Sequence, residues 1–94
     1  EFVMKISIAN ANKIDSIVSN TKWGQIIEFG KDIGLPVFGK TAAGATVGKY
    51  IFENRHRLPG WWRVVNSGSH PVADDEAISR LKSEGHKLHN GKII

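Results

Sequence analysis

Thr41-Ala42-Ala43-Gly44-Ala45-Thr46-Val47-Gly48-Lys49-Tyr50-Ile51-Phe52-Glu53-Asn54 is the stretch on which the fold turns. Thr41 can cap a helix, and Ala43, Val47, Tyr50 and Ile51 recur at helical spacing. The segment therefore predicts a helix to about Asn54 with those four residues on its buried face. The other face carries Gly44, Ala45, Gly48 and Lys49, then Phe52. An interior glycine costs a helix ~1 kcal/mol relative to alanine. Two of them four residues apart mark a smooth face for close packing, either by another element of the fold or by a DNA backbone.

Working outward, Asn12 is a candidate cap for a short helix over about 12–20, with Ile14, Ile17 and Val18 as its stripe. Ile26, Phe29 and Ile33 repeat the helical spacing in a second, very short helix that Gly34 and Pro36 would end. Downstream, Trp61-Trp62-Arg63-Val64-Val65-Asn66 has the aromatic and β-branched content of a strand, and Ser67-Gly68-Ser69 turns the chain. Asp74 or Asp75 would cap a fourth helix, with Ala77, Ile78 and Leu81 as its stripe and Gly85 as its stop. Asn90-Gly91 between two short extended runs is a strong hairpin signal. The expected class is α+β. The layout is a small winged helix-turn-helix: a three-helix core with a short β-wing, a further helix and a C-terminal hairpin. In that layout the third helix enters the major groove. Glu1-Phe2 reads as a cloning remnant, so residues 1–3 are set aside and 4–94 are taken as one domain.

The 94 residues carry 13 Lys+Arg against 9 Asp+Glu, a formal charge of +4. Lys40, Lys49, Arg55, Arg57 and Arg63 face only Glu53 between 40 and 63, which concentrates the whole excess in about a quarter of the chain. That is the footprint expected of phosphate contact, or else of a solvated charged loop. No apolar run approaches the length of a membrane span and no signal sequence opens the chain. A cytoplasmic, nucleoid-associated location is expected, or a nuclear one in a eukaryote.

The chemistry open to these residues is narrow. Cysteine is absent, which removes disulfides, thiolate metal sites and a thiol nucleophile. No Gly-x-Ser-x-Gly elbow surrounds a serine. His86 and His89, three apart in an extended run, would point to opposite faces, so no metal and no cofactor is expected. Gly34-x-x-x-x-Gly39-Lys40-Thr41 fits the spacing of a phosphate loop, but that loop must follow a buried strand of a parallel sheet, which the helical pattern before it does not supply.

Four segments together resemble the O6-alkylguanine-DNA alkyltransferase family. Lys22 to Ile33 resembles its K-x-G-x-V-x-T-Y-G-x-[IV]-A run, Ala43 to Gly48 its A-A-R-x-V-G recognition helix, Leu58 to Ser67 its P-C-H-R-V-[VI] active-site run, and Leu81 to Gly85 its closing L-x-x-E-G. The branch it most resembles is the alkyltransferase-like proteins, which lack the reactive Cys. The resemblance implies minor-groove binding to double-stranded DNA, an alkylated guanine flipped into a pocket without reaction, and hand-over of the lesion to a repair or nuclease protein. It places Trp61 at the family's Cys, Trp62 at its His, Glu84 at its supporting Glu, Ala45 at its arginine finger and Phe29 at its helix-starting Tyr. Gly60 reads as an insertion, while Asn54 and Arg63 match the family pattern.

The expected function is thus a monomeric, non-enzymatic DNA-binding domain that senses alkylated or otherwise modified bases without repairing them. Lys40, Lys49, Arg55, Arg57 and Arg63 would meet phosphates, and Thr41, Ala45 and Thr46 would lie along the groove. Phe29 and Trp61 would line the base pocket, with Ser67 at its rim. Trp61 and Trp62 could equally be core anchors, and Arg63 could equally be held by an internal ion pair. The alternative function is a protein-interaction module, or a general DNA anchor of a larger protein, with the Trp residues and Phe52 as its contact surface.

Overall fold

The computed structural model describes residues 5–72 and 75–94. Its helices are α1 (Ile8–Ser19), α2 (Leu35–Phe38), α3 (Gly44–Asn54) and α4 (Asp75–Ser83). Its strands are β1 (Ile27–Glu28), β2 (Val64–Val65), β3 (Leu88–His89) and β4 (Lys92–Ile93). The class is α+β, and the arrangement of helices and short strands is that of a small winged helix domain. The expected remnant at 1–3 and the candidate cap Asp74 lie outside the described residues.

The first helix is longer than its apolar stripe suggests. Ser7 caps it, its Oγ accepting from the Asn10 amide at 3.1 Å, in place of the expected Asn12. Ile8 is 82% exposed, so the first turn carries no amphipathic signal. The second helical region departs further. Ile27 and Glu28 form a strand, pairing in parallel with Val64 and Val65. A π-helical segment, Phe29–Gly34, then runs into α2. Pro36 therefore sits in the first turn of α2, where its missing N–H costs nothing. The chain turns instead at Gly39, in the left-handed region at φ 78°, whose amide donates to the Leu35 carbonyl.

Thr41 does not cap α3. Thr41–Ala43 forms a 3-10 turn, and the helix proper begins at Gly44. Trp61–Arg63 is a 3-10 turn rather than strand, leaving only Val64–Val65 extended. In α4, Asp75 and Glu76 lie in the first turn and Arg80 and Lys82 in the last, each sign matched to the helix dipole. Gly85, at φ 91°, ends it. Asn90 and Gly91 both have positive φ, as a two-residue turn of the primed type requires, and join β3 to β4 in register Leu88↔Ile93.

Ile14 and Val18 of α1, Ile33, Val47 and Ile51 of α3, Leu58, Trp61 and Val64 form one buried cluster. Gly60 sits where the chain closes against α1 and has no room for a side chain. At φ 82°, a Cβ there would meet Thr21 Oγ1 at 2.5 Å and the Val18 carbonyl at 2.7 Å. No helix among the described residues is long and apolar enough to cross a membrane.

Candidate nucleic-acid interface

The smooth face of α3 is partly occupied by the fold itself. A Cβ on Gly44 would lie 3.4 Å from the Gly30 backbone, and one on Gly30 would lie 2.7 Å from the Thr41 carbonyl. These glycines let the π-helical segment and the start of α3 touch backbone to backbone. Gly48 faces the Phe29 ring, which a Cβ would meet at 3.8 Å, an ordinary contact. What remains of the face is open, and it forms a hollow of about 520 Å³ lined by Phe29, Thr41, Ala45, Gly48, Lys49 and Ser67.

Those six were all singled out from the sequence, and the fold gathers them from three separate segments. The loop bearing Ser67 is shaped by Asn66, whose Oδ1 accepts from the Gly68 amide at 2.9 Å and the His70 amide at 3.0 Å. Glu28, Lys31 and Asn66 also line the hollow and had no signal in the sequence. Glu28 and Lys31 arrive there because the short strand and the π-helical segment that follows it, both unanticipated, set the wall opposite α3, and Asn66 arrives from the loop after β2, the strand that pairs with β1. Lys40 is exposed at the turn before α3. Lys49 lies 3.9 Å from Glu53, an exposed pair of little energetic consequence.

A second hollow, of about 410 Å³, adjoins the first and shares Phe29, Gly48 and Lys49 with it. Phe52, Pro71 and Val72 complete its lining. Phe52 is 40% exposed, and the Arg55 guanidinium stacks 4.1 Å from its ring centre.

Five expected site residues lie elsewhere. Thr46 is buried with Val47 and Ile51 on the inner face of α3, one residue's rotation away from Ala45, so it does not line the groove. Trp61 is 4% exposed, packs edge-on against Trp62 with ring centres 6.1 Å apart, and does not line the Phe29 hollow. It is a core anchor. Arg57 and Arg55 line a third hollow, of about 370 Å³, which shares no residue with the first two. Arg57 is drawn into a network there: Nη1 donates to Asp15 at 3.1 Å and Nη2 to the Tyr50 hydroxyl at 2.8 Å, while Tyr50 donates to Asp15. Burial and the Asp15 carboxylate raise the Tyr50 hydroxyl above its ordinary pKa.

Arg63 takes the internal ion pair that the sequence left open, and not the phosphate contact. Its guanidinium turns inward, with Nη2 donating to Glu84 Oε2 at 2.7 Å and Nη1 to the Thr21 carbonyl at 2.8 Å. Glu84 also accepts from the Gly24 amide and the Trp62 indole. Burial pushes the Glu84 carboxyl up, but the Arg63, Gly24 and Trp62 donors outweigh it and hold the pKa at about 2. A carboxylate so saturated with donors has no basicity left for acid–base work near neutral pH.

No family model matches the chain, and no curated protein matches it in sequence. Among solved structures it is similar to S. pombe Atl1, an alkyltransferase-like protein, in complex with damaged DNA containing O6-carboxymethylguanine. The TM-score is 0.71 at 18% sequence identity, over 90% of this chain and 83% of that one. At that identity the likeness establishes a shared fold.

Proposed function

We propose that this domain binds double-stranded DNA through the Ala45–Gly48–Lys49 face of α3, and accommodates a modified base displaced from the duplex without reacting with it. The observation that carries the reading is the open hollow at the front of α3. It is walled by Phe29, Gly48 and Ser67 and flanked by Lys31 and Lys49, on a fold whose counterpart in S. pombe is held on damaged DNA. Lysines at the rim supply the attraction to phosphate, and the small side chains of α3 let the duplex approach.

The chemistry favours binding over repair. Alkyl transfer needs a thiolate, and the chain has no cysteine. The position that resembles the nucleophile is Trp61, buried in the core, and Glu84 is committed to Arg63. A domain that holds a lesion unaltered acts by marking it, so a repair or nuclease protein is the fitting downstream partner. A monomer suffices for this role.

The test is a binding isotherm on plain duplex at rising salt. Each phosphate neutralised contributes ~0.9 to the slope of log affinity against log salt. Absence of binding at low salt, or affinity indifferent to salt, defeats the DNA reading. Comparison with a duplex holding O6-carboxymethylguanine then isolates the base-holding part, which predicts tighter binding to the modified duplex.

A further inference from the structure

The second hollow differs in chemistry from the first. Phe29, Phe52, Pro71 and Val72 are apolar and Gly48 offers no side chain, so among the described residues the Lys49 ammonium is the only side-chain hydrogen-bonding group in its lining. Reading the edge of a base takes paired donors and acceptors held in fixed positions. A single flexible ammonium cannot distinguish one base edge from another. Aromatic rings do attract the faces of bases, and this attraction is indifferent to sequence because every base has a π-face. Phe52 is suited to that use: it is part exposed, and the Arg55 guanidinium at 4.1 Å braces its ring. The hollow is continuous with the proposed DNA-binding face, with which it shares Phe29, Gly48 and Lys49.

A second observation bears on which bases can reach it. Displacing a base from the stack costs a few kcal/mol, least when the base is mismatched or already unpaired. A side chain inserted into the gap would offset that cost. Of the α3 residues that line the first hollow, Gly44, Ala45 and Gly48 are too small to fill a gap left by a base, and the one long side chain, Lys49, ends in a strongly hydrated ammonium that has no flat face to stack between base pairs. The domain therefore has little means of extracting a well-paired base.

From these two observations, and resting on the DNA-binding reading above, we propose that the Phe29–Phe52 hollow holds a displaced nucleobase by stacking alone. Its ligands are bases that leave the duplex cheaply, mismatched or weakly paired, irrespective of alkylation at a particular atom. Phe52 is the specificity-determining residue for this class.

The experiment compares three duplexes of one sequence by fluorescence anisotropy: fully paired, with a single mismatch, and with O6-carboxymethylguanine. The mismatched and modified duplexes are expected to bind alike, and both more tightly than the paired one. Phe52→Ala is expected to weaken binding to the mismatched duplex about ten-fold, while affinity for the paired duplex stays within about two-fold. Phe52→Tyr, which keeps the ring, should retain the preference, and circular dichroism should report both variants folded. The proposal is overturned by a mismatched duplex bound no better than the paired one, by a modified duplex bound far more tightly than the mismatch, or by a Phe52→Ala loss equal on all three. Salt-independent binding, or none, on every duplex would instead overturn the DNA-binding reading on which it rests.

Discussion

Glu84 tests whether the buried ion pair supports the fold. Its side chain is 2% exposed, and its carboxylate receives Arg63 Nη2 at 2.7 Å, Trp62 Nε1 at 2.8 Å and the Gly24 amide at 3.0 Å. The pKa falls from 4.5 to about 2. At ~1.36 kcal/mol per pH unit, that shift corresponds to ~3 kcal/mol of folding stability. The folded value lies below the unfolded one, so the contribution is fully present above pH 4.5 and drains away as pH falls toward 2. Glu84→Gln keeps the shape but removes the charge, and it leaves the Arg63 guanidinium, 11% exposed, without its counter-ion. Breaking such a pair on one side costs ~3–5 kcal/mol. Urea unfolding followed by tryptophan fluorescence, from pH 7 to pH 2, reads both quantities. The wild type should exceed the variant by ~3 kcal/mol or more at neutral pH, with the gap narrowing through the window between the two pKa values. A gap of constant size across that window would refute the reasoning, because the loss would then come from packing and not from charge.

Gly60→Ala should destabilise the protein by more than the ~1–2 kcal/mol of the left-handed backbone alone, since the new Cβ also meets the Val18 carbonyl at 2.7 Å. Gly48→Ala, where the nearest atoms are 3.8 Å away, should raise the melting temperature through a gain of ~1 kcal/mol in helix propensity. Thermal unfolding of the pair distinguishes a glycine required by the fold from one that leaves room for a ligand. Combined Lys40→Ala and Lys49→Ala should reduce the salt slope of duplex binding by about 2, whereas Arg57→Ala, held by Asp15 and Tyr50, should change it little. Glu28→Gln removes a negative charge from the lining of the first hollow, and duplex titrations at low salt should show tighter binding.

What the sequence made legible was local. α3 announced itself through Val47 and Ile51, α4 through Ala77 and Leu81, and the hairpin through Asn90-Gly91, because each rests on periodicity or turn chemistry within a few residues. β1 was hidden because Ile27 and Glu28 are extended only by pairing with Val64 and Val65, far along the chain. Their own neighbourhood, with Ile26, Phe29 and Ile33 at helical spacing, points the other way. The candidate site divides similarly. Phe29, Ala45 and Ser67 came from the resemblance to a family pattern, which carries spatial information, and Lys49 came from the charge run. The inward turn of Arg63 and the burial of Thr46 depend on where Glu84 and the core lie, which no local pattern states. Charge density along the chain also misled: Lys49 lines the first hollow, whereas Arg55 and Arg57 line another that shares no residue with it.

The clasp around Glu84 has a consequence for motion. Gly24 sits in a loop outside any helix or strand, the kind of segment that ordinarily opens to solvent on its own. Its amide is bonded to a side chain 60 residues away, and its carbonyl lies 3.0 Å from His86 Nε2. Both partners follow the last turn of α4. The Gly24 amide should therefore exchange its hydrogen for deuterium only when the end of α4 comes apart, at a rate matching that turn and slower than its unattached neighbour Trp23. Two stretches distant in the chain would then open as one cooperative unit.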